Sequence, residues 1–252
     1  MIKLGLVSVT FSKLPIEEVI RIAVAAGIDG IEWSEKGEHA VSMENIDKIK
    51  ALSEENGLEI FSFGSYCYMT EWEKCEKALL MAVRLGAPVI RVWAGWKNLS
   101  DWTEETFAEL VENTRRMADK AAEYGITLAF EYHRKTLTET AESAIRLIKE
   151  VDRENVKLYW QNSAAFTYEE NLQNLTAVTP YLAGVFHLGN GRGGQGPQLI
   201  GGIREEIEGF YQPFLKTDYK VMMEFVKGGL EESFYSDINV LRECFSLGEA
   251  TN

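Results

Sequence analysis

Residue types that move protons and bind cations stand at the ends of four apolar runs in the second half of this chain. Leu128-Ala129-Phe130 leads into Glu131, Tyr132 and His133, and Val156 to Trp160 leads into Gln161 and Asn162. Leu182 to Phe186 leads into His187, and Val221-Met222-Met223 into Glu224. An ionisable group at the end of a buried run is costly unless it is paired or bound to a metal. Two carboxylates, an imidazole and an amide oxygen make a hard-to-borderline donor set. The oxygens suit Mg2+ or Mn2+, and the imidazole shifts the preference toward Mn2+, Co2+ or Zn2+. The competing reading leaves each residue as a satisfied polar group at a strand end. The donors are about 25 to 40 residues apart, so they converge only if the fold brings successive strand ends together.

The elements that must do this are legible as an alternation. Apolar runs predict strands at 3–9, 29–33, 58–63, 88–93, 128–133, 156–161, 184–187 and 219–225. Amphipathic stretches between them predict helices. Pro15 opens the first and Gly27 stops it; others span about 42–56, 70–85, 100–124, 138–150, 167–178, 204–215 and 230–245. Runs without polar alternation suit strands buried on both faces, as in parallel sheets. Eight strand–helix units in 252 residues match a closed (β/α)8 TIM barrel, an α/β fold in which residues 1–252 form one domain. A doubly wound open sheet is the competitor, but it commonly uses fewer strands. Catalytic groups of such a barrel lie at the C-terminal strand ends. Glu32, Tyr66, Trp93, Glu131, His133, Gln161, His187 and Glu224 stand there.

Composition narrows the function classes. The formal net charge of -13 argues against a nucleic-acid partner, which calls for a basic surface. No run reaches the roughly 18 apolar residues of a membrane helix. Cys67, Cys75 and Cys244 form no zinc or redox motif, so reduced thiols and a cytoplasmic setting are expected. Only His39, His133 and His187 are present, too few for a three-zinc nuclease. Gly189 to Gly194 formally matches G-x-G-x-x-G, but Gln195-Gly196-Pro197 follows instead of a helix. It is better read as a loop over the barrel mouth.

The chain resembles the xylose isomerase-like barrels of the sugar phosphate isomerase/epimerase and family 2 AP endonuclease superfamily, over essentially its whole length. The resemblance rests on Gly30-Ile31-Glu32-Trp33 with His39, Arg91 to Gly95, Phe130 to His133 with Thr136, Tyr159-Trp160-Gln161, His187, and Glu224 to Lys227. It implies one divalent metal (Mn, Mg, Co or Zn) held by Glu131, His187 and Glu224, with Gln161 where the family has an Asp. The family's usual substrate-holding His three residues later is Ala164 here. Weaker metal binding is the expected consequence.

The implied chemistry is proton abstraction next to a carbonyl through an enediolate, with Glu131 and Glu224 as general base and acid. That makes an isomerase or epimerase of a sugar or sugar phosphate. The alternatives are a sugar- or inosose-type dehydratase and a non-catalytic sugar-binding barrel, the latter favoured by Gln161 and Ala164. Glu32, His133, Trp93, Arg192 and Lys227 are the candidate substrate contacts. For Glu32, a role as acceptor behind the site or as a salt-bridged structural group competes. For Lys227, simple solvation competes. The partner implied is a small sugar or polyol, with no nucleic acid and no membrane. A homo-oligomer is compatible with this reading.

Overall fold

Eight parallel strands close in sequential order, β1-β2-β3-β4-β5-β6-β7-β8, with β8 paired back onto β1. The structure, a computed structural model, describes residues 1–191 and 196–246. The strands are β1 (Lys3–Val7), β2 (Gly30–Ser34), β3 (Glu59–Gly64), β4 (Val89–Val92), β5 (Thr127–Glu131), β6 (Val156–Gln161), β7 (Leu182–Leu188) and β8 (Lys220–Met223). The helices that follow them are α1 (Ile16–Ala26), α2 (Ile46–Glu55), α3 (Trp72–Leu85), α4 (Glu104–Ala122), α5 (Ala141–Val151), α6 (Tyr168–Val178), α7 (Arg204–Tyr211) and α8 (Glu231–Ser246). This is the (β/α)8 barrel expected from the alternation.

Two apolar layers hold it together. Val7, Phe61, Val89, Ala129, Tyr159, Val185 and Met222 form a separate cluster of their own, which fills the bore. Gly30 makes room there, because a Cβ on it would lie 2.5 Å from the Phe61 ring. The larger cluster lies between strands and helices and takes the other strand residues, such as Ile31, Ile90, Leu128, Phe130, Leu158, Trp160, Phe186 and Val221. Side chains alternate between bore and outer layer with the period of two that a strand imposes. That alternation carries Glu32, Arg91, Glu131, Tyr159, Gln161 and His187 to the inner face.

Local chemistry moves several boundaries. β1 stops at Val7 because Ser8–Phe11 coils into a 3-10 turn. α2 begins at Ile46, since Asn45 Oδ1 accepts from the Ser42 amide and keeps 42–45 in a turn. α5 begins at Ala141, because Thr138 Oγ1 turns back to donate to the Glu131 carbonyl at 2.6 Å. Among the described residues, no helix is long and apolar enough to cross a membrane.

The cysteine expectation is corrected. Cys67 and Cys75 form a disulfide, while Cys244 is free and buried. The bridge ties the loop after β3 to the first turn of α3. The Cys67 carbonyl of that loop accepts from the Trp93 amide at 2.8 Å.

Candidate active site

The inner-face residues meet in a buried polar layer at the C-terminal end of the bore. One ligand atom each from Glu131, His187 and Glu224 lies within 4.8 Å of the others. His187 is buried, and neither of its ring nitrogens has a hydrogen-bond partner. Its Nδ1 faces Glu224 Oε2 at 3.5 Å and Glu131 Oε1 at 3.9 Å. Its Nε2 faces Glu32 Oε1 at 3.3 Å.

Glu131 ends β5 and is held from both sides. Arg91 Nη1 donates to its Oε2 at 2.6 Å, and Gln161 Nε2 donates to its Oε1 at 3.0 Å. Gln161 Nε2 also donates to the Tyr132 carbonyl at 3.0 Å. Both partners are pure acceptors, so the amide nitrogen must face them. At Glu131, then, Gln161 acts as a donor that fixes the carboxylate.

Glu32 lies beneath this layer and is fully buried. Its Oε2 accepts from Tyr159 OH at 2.6 Å and Ser62 Oγ at 2.8 Å, and its Oε1 lies 3.4 Å from Arg91 Nε. Gly64 permits this close approach: a Cβ there would sit 2.6 Å from Glu32 Oε1 and 3.2 Å from Arg91 Nη2. Glu32 therefore takes the position of an acceptor behind His187, away from an open substrate surface.

The electrostatics separate the carboxylates. Burial alone would raise the pKa of Glu32, but Arg91 and His187 outweigh it and hold the group at about 2. Burial raises the pKa of Glu224, which His187 opposes and the Glu131 charge reinforces. For His187, burial lowers the pKa, yet the charges of Glu224 and Glu32 leave it raised. Arg91 is desolvated too, and Glu131 and Glu32 keep it a cation.

The remaining candidates frame the mouth. Trp93 is buried, with the Tyr66 ring stacked at 5.9 Å and the His133 ring tilted at 4.8 Å. His133 lies past the end of β5, with Nδ1 donating to the Arg134 carbonyl at 2.6 Å. Trp96 is exposed and completes the aromatic ledge. Lys227 is exposed in a 3-10 turn after β8. Arg192 lies outside the described residues. Phe225, next to Glu224, has φ +56°, a strained value for a non-glycine residue. Its amide donates to Thr10 Oγ1 at 3.1 Å, which anchors the turn that presents Glu224.

Sequence reasoning gave no role to Arg91, Tyr159 or Ser62. The signal for Arg91 was present, as a charge inside the apolar run Val89-Ile90-Arg91-Val92. Such a charge must have a buried partner.

The donor set fits a divalent ion. Oxygen donors from Glu131 and Glu224 and the free Nδ1 of His187 converge, and they are ligand types for Mg2+, Mn2+, Co2+ or Zn2+. Gln161 Nε2 is taken by Glu131 and the Tyr132 carbonyl, so the donor Gln161 has left for an ion is its amide oxygen.

A closed eight-stranded barrel with buried acid and imidazole groups at its strand ends defines an enzyme-type (β/α)8 scaffold. Comparison places it more narrowly: residues 20–226 match the model of the xylose isomerase-like TIM barrel family, and the chain belongs to that family. It is 27% identical over 154 residues to a 3-dehydroshikimate dehydratase of Bacillus anthracis, covering 56% of this chain and 54% of that protein. It is 31% identical over 84 residues to a probable L-ribulose-5-phosphate 3-epimerase, UlaE, of Mycoplasma pneumoniae, covering 33% of this chain and 28% of the relative. The chain thus spans about half or less of the length of these relatives. Among solved structures, the probable 3-DHS dehydratase AsbF of Bacillus anthracis superposes with a TM-score of 0.76 at 20% identity, covering 96% of this chain and 99% of that one. At that identity the likeness speaks for the fold.

Proposed function

We propose that this chain is a divalent-metal-dependent enzyme that removes a proton from the carbon next to a carbonyl of a sugar or sugar-like polyol, as an isomerase or epimerase. The observation that carries this reading is the meeting of Glu131, His187 and Glu224 within 4.8 Å, with His187 Nδ1 free and buried between the two carboxylates. A divalent ion bound there supplies a Lewis acid for the negative charge that develops on the carbonyl oxygen. The rest is done by the chain's own side chains. Glu224, desolvated and raised in pKa, takes the proton from carbon and returns it. Arg91 and Gln161 hold the Glu131 carboxylate in place. Trp93 and His133 wall the mouth and orient the substrate, with Lys227 and Arg192 as the candidate contacts to a phosphate. Inversion of one carbon requires Glu131 to serve the opposite face. Transfer between neighbouring carbons can use Glu224 alone for the carbon-bound proton, with the hydroxyl proton passing between the two adjacent oxygens.

A second reading is a dehydratase, favoured by a specific observation: both Glu131 oxygens already hold donors. Glu224 would then take the carbon-bound proton and pass it to the departing hydroxyl, which leaves as water. The likeness to a 3-dehydroshikimate dehydratase supports the same outcome.

The test is incubation of the protein with Mn2+ in deuterated water, with ketoses, ketose phosphates and 3-dehydroshikimate as substrates, read by mass spectrometry. An isomerase or epimerase conserves the substrate skeleton and incorporates deuterium. A dehydratase product lacks one water. If no substrate changes, and Mn2+, Mg2+, Co2+ and Zn2+ all fail to raise thermal stability, the reading gives way to a sugar-binding barrel.

A further inference from the structure

We propose that Glu32 is a positioning residue: it holds the proton of His187 on Nε2, so that Nδ1 is the nitrogen offered to a cation between Glu131 and Glu224. This rests on the reading of that cluster as a cation site.

Glu32 Oε1 and His187 Nε2 are both buried, and neither has a hydrogen-bond partner that meets full geometry. They lie 3.3 Å apart. A proton on Nε2 gives each of them the other as its partner. Each nitrogen faces a carboxylate, but Glu32 lies closer to Nε2, at 3.3 Å, than Glu224 and Glu131 lie to Nδ1, at 3.5 and 3.9 Å, so the proton on Nε2 has the nearer partner. The tautomer of a ligating histidine is set in this way by the group behind it.

Glu32 is built for the task. Its other oxygen is locked by Tyr159 OH and Ser62 Oγ. Arg91 Nε stands 3.4 Å from Oε1 as a counter-charge. The Tyr159 ring also lies 4.5 Å from the His187 ring, which limits how the imidazole can turn. Gly64 gives Glu32 Oε1 the space it occupies. Glu32 itself is fully buried, so it acts through His187.

The test begins with the wild-type protein. Long-range nitrogen–proton NMR of the three histidines, without metal and at alkaline pH where each ring carries a single proton, is expected to show His187 as the Nε2–H tautomer. Observation of the Nδ1–H tautomer, or of an even mixture, overturns the proposal. A second measurement uses Glu32→Gln, which retains an acceptor and is expected to fold. Calorimetric titration with Mn2+ alone should show affinity lowered by roughly 10–100-fold, the range for loss of a carboxylate behind a ligating histidine. Unchanged Mn2+ affinity in this variant also overturns it, because a purely structural Glu32 would alter stability and leave the ligand nitrogen alone. If wild-type His187 is the Nε2–H tautomer but wild-type protein takes up no Mn2+, the cation reading fails and the tautomer assignment stands.

Discussion

The two glutamates that close on His187 Nδ1 sit in different surroundings. On the β4–β5–β6 side, Glu131 has one oxygen on Arg91 and the other on Gln161, and its backbone carbonyl on Thr138. On the β7–β8 side, Glu224 keeps 12% of its side chain exposed, meets His187 Nδ1 at 3.5 Å, and is carried on a strained turn at Phe225. One carboxylate is saturated with donors and fixed. The other is desolvated, raised in pKa and packed at its backbone against Gly189, where a Cβ would lie 2.8 Å from the Glu224 carbonyl oxygen. Where two acids share a site, environments that push them apart assign the roles. On the proposed reading, the fixed one organises charge and the other exchanges protons.

The largest expected effect breaks this division directly. Glu224→Gln should lower turnover on whichever substrate is identified by about 10²–10⁴-fold, the span of a lost general acid–base group. The variant should fold at least as well as wild type, since it replaces a costly buried anion by a neutral isostere. If Glu224→Gln retains full turnover and Glu131→Gln abolishes it, the roles are reversed. Single-turnover kinetics with matched Mn2+ occupancy decides the matter.

Next in size is Arg91→Leu. It leaves Glu32 and Glu131 buried without their shared cation. Removing one partner of a buried ion pair typically costs about 3–5 kcal/mol. Urea unfolding should show that loss. A cost under about 1 kcal/mol would mean that the β2–β4–β5 side is solvated enough to dispense with the guanidinium.

Much of this arrangement was legible in the sequence because strands impose a period of two. Apolar runs ending in Glu131, His187 and Glu224 had to place those groups at one end of the bore once eight units closed. The partners of those groups were less legible. Arg91 announced a buried charge, but nothing local says that its carboxylates come from β2 and β5. Gln161 carries a donor and an acceptor on one amide, and only the two acceptors around it determine which end faces Glu131. Cys67 and Cys75 stand eight residues apart in no recognisable motif, so their pairing depends on a loop path that composition does not encode.

The pH dependence of stability should also divide the carboxylates. Glu32 falls from a reference of 4.5 to about 2 on folding. A depressed pKa stabilises above the unfolded value and loses that contribution as pH falls through the folded one, here between about pH 4.5 and 2. Glu224 is raised. Its contribution is present below the unfolded carboxylate pKa and is lost as pH rises through its folded pKa. Unfolding curves of metal-free protein should therefore differ in opposite senses: wild type against Glu32→Gln below about pH 4.5, and wild type against Glu224→Gln above it. Parallel curves would remove the electrostatic distinction.

The smallest effect sharpens the comparison at Gln161. Gln161→Asp adds a carboxylate on the fixed side and removes the donor to Glu131 Oε1. In the metal-free protein this is a fourth acid, half-buried, near Glu32, Glu131 and Glu224, so unfolding should become easier. With a divalent ion, the added charge becomes an attraction, and Mn2+ affinity should rise about tenfold, the lower end of what a rearranged ligand environment produces. The two measurements must move in opposite directions for the argument to hold. Easier unfolding together with weaker Mn2+ binding would show that the hydrogen bond from Gln161 to Glu131 matters more than charge. The β6 amide would then be the better partner for this cluster, because it keeps Glu131 in place without adding to the repulsion that already raises Glu224.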